Sequence, residues 1–132
     1  MTVTLPTPKP CLFCELSEER IVMASSFALA IRDGFPVSRG HTLIVPRRHV
    51  ATFFDTTIEE RIEMFDLLDK VKRALDAEFQ PVAYNIGVND GPGAGQTIPH
   101  LHVHLIPRYL GDNDDPRGGV RWIFPKKAKY WT

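Results

Sequence analysis

The 132-residue chain has only two cysteines, no net charge and no long apolar run. Sixteen Lys and Arg balance sixteen Asp and Glu, so no global field recruits nucleic acid or an anionic membrane. The longest unbroken apolar stretch, Phe27 to Ile31, is five residues, against the ~20 that a membrane helix needs. The first ten residues lack the apolar core of a secretory signal. These absences predict a soluble, cytoplasmic protein forming one domain over residues 1–132, with neither nucleic acid nor membrane as a partner. Cys11 and Cys14 share one C-x-x-C, and a disulfide closing so short a loop would constrain the unfolded chain little. A redox dithiol of this spacing follows a strand, whereas Pro6, Pro8 and Pro10 precede this one. A metal half-site is the better reading.

What is present reads as alternating short strands around one helix. Residues 1–10 are Pro-rich and predicted extended. Ile21 to Ser25, Phe27 to Arg32 and Thr42 to Val45 read as strands, the last rich in β-branched residues and ended by Pro46. From Ile58 to about Gln80, apolar residues recur at three- and four-residue steps: Ile58, Ile62, Phe65, Leu68, Leu75 and Phe79. That period predicts a helix with this stripe turned to the core. Thr57 with Glu60 gives a capping-box signature, and Pro81 ends the helix. Val82 to Val88 and Ile98 to Pro107 complete five strands, with Val120 to Phe124 a candidate sixth in a basic tail, residues 110–132.

All five histidines fall in two stretches: His41 and His49, then His100, His102 and His104. The second alternates with Leu101, Val103 and Leu105, so a strand would carry the aliphatics on one face and three imidazoles on the other. Burying three unpaired imidazoles would be costly. Two readings compete. The three rings could share a metal, although the outer two would lie ~13 Å apart along a strand. Alternatively, one end joins Cys11 and Cys14 while the middle histidine does chemistry. Just upstream, Gly91, Gly93 and Gly95 let backbone N–H groups approach an anion, and Gln96 and Thr97 add side-chain donors.

Gly95-Gln96-Thr97 followed by His100-Leu-His102-Val-His104-Leu-Ile resembles the signature of the histidine triad (HIT) family. Gly40-His41-Thr-Leu-Ile-Val-Pro46-x-x-His49 resembles that family's second motif. The resemblance covers residues 11 to 109. Asp90 to Thr97 is most similar to the fragile-histidine-triad and diadenosine polyphosphate hydrolase branches, while Asn89 is closer to the adenylate-phosphoramidase branch. The resemblance implies an α+β fold: an antiparallel sheet of about five strands, one long and one short helix, and a two-fold homodimer. It implies a nucleotide hydrolase in which His102 attacks the α-phosphate of a dinucleoside polyphosphate, with diadenosine tetraphosphate a candidate. Gln96, Thr97, Asn89 and His104 would hold phosphate oxygens, and His104 would give a proton to the leaving group. Asp33 would contact the ribose, Ile31 and Phe27 the base, and His41 and Gly95 would lie near the nucleotide. Cys11, Cys14, His49 and His100 would bind a structural Zn2+, a closed set of four ligands. Mg2+ is a candidate companion of the substrate. The alternatives are a nucleoside phosphoramidase or phosphorylase of the same mechanism, a nucleotide-binding sensor with negligible turnover, and a metallohydrolase using the triad as ligands.

Overall fold

The computed structural model describes residues 11–132; the extended Pro-rich segment expected over 1–10 lies outside them. Five antiparallel strands form one sheet in the order β1-β2-β3-β5-β4. They are β1 (Ile21–Ala24), β2 (Ala28–Arg32), β3 (Thr42–Pro46), β4 (Ala83–Gly87) and β5 (Val103–Arg108). Among the described residues a single α-helix, α1 (Ile58–Phe79), crosses from β3 to β4. The expected shorter helix is not an α-helix among the described residues. One-turn 3-10 segments such as Phe53–Asp55 take its place.

The capping box of α1 is complete: Thr57 accepts from the Glu60 N–H, and the Glu60 side chain accepts from the Thr57 N–H. The helix ends in a left-handed Gln80, and Pro81 lacks the N–H that would continue it. Its buried face keeps the C-terminal part of the predicted stripe, with Leu75 in the core and Leu68 and Phe79 packed against it, but departs from it in the first turns. Met64, Leu67, Val71 and Leu75 are buried, whereas Ile58, Ile62 and Phe65 are exposed. The sequence holds two neighbouring apolar stripes, and the core took the one whose first turn carries Glu60. That carboxylate is 4% exposed and ion-paired to Arg48 at 2.8 Å.

The sheet separates two apolar layers. Ala28, Ala30, Ile44, Val103 and Leu105 face α1, the alanines letting the helix approach closely. Leu29, Ile31, Leu43 and Val45 face the other way and are covered by Phe13 and Leu16. Gly40 shows why the chain needs glycine as it enters β3. Its φ is +89°, and a Cβ there would lie 2.9 Å from Phe79 and 3.0 Å from Leu75.

The predicted tail strand is absent. Gly119–Ile123 forms a 3-10 helix, because Gly118 and Gly119 take positive φ and Pro125 breaks the chain just beyond it. Trp122 donates to the Arg117 carbonyl, and Arg117 stacks on Trp131 at 4.7 Å. Both tryptophans are thus engaged within the tail.

Candidate active site and metal centre

The histidine segment does not run as one strand. Leu101 N–H bonds to the Val50 carbonyl at 2.7 Å, a partner beyond the end of β3, so ladder pairing with β3 begins only at Val103. His100 and His102 therefore sit in an irregular lead-in, and alternation of buried and half-buried residues holds only from Val103 to Arg108. That break divides the three rings between two places.

His100 is completely buried and turns towards the N-terminal segment. Its Nε2–H donates to the Pro46 carbonyl at 2.8 Å, which leaves the Nδ1 lone pair facing sulfur. Nδ1 lies 3.5 Å from both Cys11 Sγ and Cys14 Sγ, and His49 Nδ1 lies 3.3 Å from Cys14 Sγ. All four ligand atoms fall within 4.8 Å of one another. A tetrahedral zinc with ordinary bond lengths places sulfur and nitrogen about 3.6 Å apart, so both donor set and spacing fit. Burial and the adjacent Cys11 thiol push the Cys14 thiol up, so metal binding would displace protons. His49 is presented by a fixed loop. Arg48 binds Glu60 at the start of α1 and the Asp55 carbonyl, and Arg47 binds the Ser25 carbonyl.

His102 and His104 face a cleft of about 250 Å3 on the side of the sheet away from α1. His102 Nδ1 lies 2.8 Å from the His100 carbonyl. It must donate there, because a carbonyl only accepts, so the Nε2 lone pair is available to the cleft. His104 is fixed by a second contact. The Val37 N–H donates to His41 Nδ1 at 3.2 Å, and His41 Nε2 lies 3.0 Å from His104 Nδ1. The proton of His41 is therefore on Nε2, and that of neutral His104 is on its own Nε2. Desolvation, with repulsion from His102 and His41, pushes His104 down to about 4. Desolvation also lowers His41, against the opposing pull of Asp33. Asp33 Oδ2 lies 3.5 Å from His41 Nε2, while its Oδ1 accepts from the Phe35 N–H.

Asn89, Gly95, Thr97 and Asp33 line this cleft with His102 and His104. Gln96 does not. Its carbonyl accepts from the Gly91 N–H, and its amide donates to the Ala51 and Ile98 carbonyls, so it shapes the loop. Asp90 acts likewise, accepting from Thr52 Oγ1 and the Phe53 N–H. Ile31 is buried beside Leu43 in the layer beneath the cleft. Phe27 lies elsewhere, its N–H donating to Glu63 on α1. Sequence reasoning missed Leu12, Phe13, Arg20 and Phe35, which also line the cleft. Phe13 packs edge-on to both His100 and His102. Its position inside the C-x-x-C was the available signal. A cleft of about 280 Å3 between β1 and α1, lined by Val22, Met23, Val71, Ala74, Arg32 and Glu78, contains no histidine or cysteine.

An open five-stranded sheet carrying a Cys2His2 cluster and an oriented histidine pair on one face defines the class of protein. Residues 16–111 match the HIT domain model, and the chain belongs to the HIT domain family. It is 36% identical over 103 residues to the protein named Protein hit of Bacillus subtilis, covering 75% of this chain and 71% of that one. It is 43% identical over 77 residues to the bis(5'-nucleosyl)-tetraphosphatase of Schizosaccharomyces pombe, covering 58% and 42%. With the bis(5'-adenosyl)-triphosphatase of Saccharomyces cerevisiae it shares 36% over 107 residues, covering 80% and 52%. The chain thus spans about half or less of the two fungal proteins. Among solved structures, a HIT family protein of Bacillus anthracis superposes with a TM-score of 0.73 at 37% identity, over 80% of this chain and 78% of that one. A Zn-bound histidine triad protein of Mycobacterium smegmatis gives 0.70 at 34%, over 78% of each chain. No helix is long and apolar enough to cross a membrane among the described residues.

Proposed function

We propose that the protein hydrolyses dinucleoside polyphosphates, of the kind named for its fungal relatives, through a covalent nucleotidyl-His102 intermediate. One observation carries this reading. His102 is held by the His100 carbonyl with Nε2 free to the cleft, beside a His104 whose tautomer is fixed by His41. A phosphate-sized anion docks between the Gly95–Thr97 turn and Asn89, while Asp33 receives the ribose hydroxyls. His102 Nε2 attacks the α-phosphorus, forming a P–N bond as the bridging P–O bond breaks, and the nucleoside polyphosphate departs with the electron pair. His104 Nε2–H donates to the oxygen on which charge builds. Water then attacks the phosphorus and loses a proton to solvent, the P–N bond breaks with its electron pair returning to His102 Nε2, and a nucleoside monophosphate is released. Splitting one displacement into two eases each.

Gln96 contributes indirectly, by holding the turn that presents Thr97. Zinc, when bound by Cys11, Cys14, His49 and His100, supplies a structural clamp between the N-terminal segment and the triad lead-in. Asp33 is the only acidic side chain lining the cleft among the described residues, so a Mg2+ accompanying the substrate would be held mainly by its phosphates. The chain acts as a single domain in the cytoplasm, where the Cys11 and Cys14 thiols stay reduced and available to a metal. It pairs as a homodimer, for which β4 offers an edge strand with one neighbour and α1 offers exposed Ile58, Ile62 and Phe65.

The test is hydrolysis of diadenosine tri- and tetraphosphate by the wild type and His102→Ala, beside an adenosine phosphoramidate. Turnover of the dinucleotides that disappears in the variant supports the reading. Turnover of the phosphoramidate alone selects the phosphoramidase reading, and binding without any turnover selects the sensor.

A further inference from the structure

The nucleotide reading leaves one end of the cleft without a role. Ile21, Ile31, Leu43 and His104 pair in a row across β1, β2, β3 and β5. At ~4.8 Å per strand, β1 lies about 14 Å from the catalytic strand. Arg20 immediately precedes β1 and lines the cleft, so it stands at the end away from the reacting phosphorus. Its guanidinium rests against the Asp33-Gly34-Phe35 turn: Nη2 donates to the Arg32 carbonyl at 3.0 Å, and a Cβ on Gly34 would come within 3.3 Å of it. One donor is engaged there, and an Arg carries five. Phe35 also lines the cleft and is 92% exposed, an unusual placement for a large aromatic with nothing to cover it. The Asp33 side chain bonded to the Phe35 N–H holds that turn.

A planar apolar ligand group would stack on Phe35, with Leu12 and Phe13 as further walls, and would place its outer edge at Arg20. Arg20 leans on the turn that begins at Asp33, the proposed ribose contact, and so lies beyond the sugar from the Gly95–Thr97 phosphate turn, where the guanidinium meets a base. Guanine and hypoxanthine present two acceptors, O6 and N7, to such a fork. Adenine sets its N6 donor against it.

We propose that Arg20 and Phe35 form a base-reading rim that makes this site prefer 6-oxopurine nucleotides over adenine nucleotides. The inference rests on the nucleotide reading of the cleft and narrows its substrate class. It departs from the adenosyl substrate in the name of one fungal relative.

Titration calorimetry of the full chain with AMP, GMP and IMP tests it. GMP and IMP should bind about tenfold more tightly than AMP, near the low end for a bidentate contact because the guanidinium is exposed. Arg20→Met should bring GMP and IMP to the AMP level while changing AMP little. Phe35→Ala should weaken all three by a similar factor. Equal affinity of the wild type for the three ligands would overturn the inference while leaving the nucleotide site standing. So would equal weakening of all three by Arg20→Met, which would mark a phosphate contact. Binding of none of them would overturn the nucleotide reading itself, and the base-reading rim with it.

Discussion

Replacing His41 with alanine should lower the rate of nucleotidyl transfer about 30-fold while barely changing KM. His41 is 3% exposed and does not itself line the cleft, meeting it through His104 and the Asp33 carboxylate. In the wild type, the Val37 N–H at 3.2 Å and His104 Nδ1 at 3.0 Å fix one tautomer and one ring orientation of His104. Without His41, two tautomers and two ring flips become accessible, of which one presents N–H correctly. That fourfold dilution costs about 0.8 kcal/mol, and the lost hydrogen bond about 1 kcal/mol more. The sum, about 2 kcal/mol, converts to about 30-fold. Single-turnover kinetics with a dinucleoside polyphosphate reads the rate, and 15N NMR of the histidine rings reads the tautomer. His41→Gln, whose amide nitrogen can donate from the position of Nε2, should recover part of the loss. An unchanged rate in His41→Ala would refute the reasoning, as would wild-type His104 carrying its proton on Nδ1 at pH 7. A rise in KM at constant rate would instead make His41 a substrate contact.

Three further outcomes are expected. Removing metal with a chelator should lower Tm, with activity lost only as structure is lost, and Cys14→Ser should do the same without chelator; instant loss of activity from a fully folded protein would contradict a structural zinc. Because His104 in the folded chain titrates at about 4 against an ordinary 6.5, the unfolded chain takes the proton first, so its contribution is full above pH 6.5 and shrinks as pH falls towards 4. The loss is at most about 3 kcal/mol, and urea titrations at pH 7 and 5 should show a smaller drop for His104→Asn than for the wild type. Ile62→Glu should convert a dimer to a folded monomer by sedimentation, and a wild type already monomeric at micromolar concentration would remove the homodimer.

Strands were legible where local chemistry alone decided them. Thr42 to Val45 bears β-branched residues and stops at Pro46, and the observed β3 agrees with it. The start of α1 was legible because Thr57 and Glu60 satisfy orphan donors within four residues. Its buried face was legible only towards the C-terminal end, at Leu68, Leu75 and Phe79. Choosing between the stripe of Ile58, Ile62 and Phe65 and that of Met64, Leu67 and Val71 depends on which one meets Ala28 and Ala30 across the sheet, a long-range fact. The split of the triad followed from strand spacing in outline, but its cause, the Leu101 bond to Val50, is tertiary. Gln96 shows the same limit. A side-chain amide beside an anion-binding turn reads as a ligand contact, and only the Ala51 and Ile98 carbonyls show where its donors go. Arg20 and Phe35 carried no motif, and they meet the cleft because β1 pairs with β2.

Covalent catalysis at His102 is the central claim, and intact-mass spectrometry tests it most directly. The wild type and His102→Ala would be mixed with diadenosine tetraphosphate and quenched rapidly without acid, since a P–N bond is acid-labile. A transient mass gain of one nucleotidyl group in the wild type, absent from the variant, is the predicted result. Hydrolysis that proceeds in His102→Ala at the wild-type rate, with no adduct in either protein, would contradict it and move the chemistry away from the His102 imidazole.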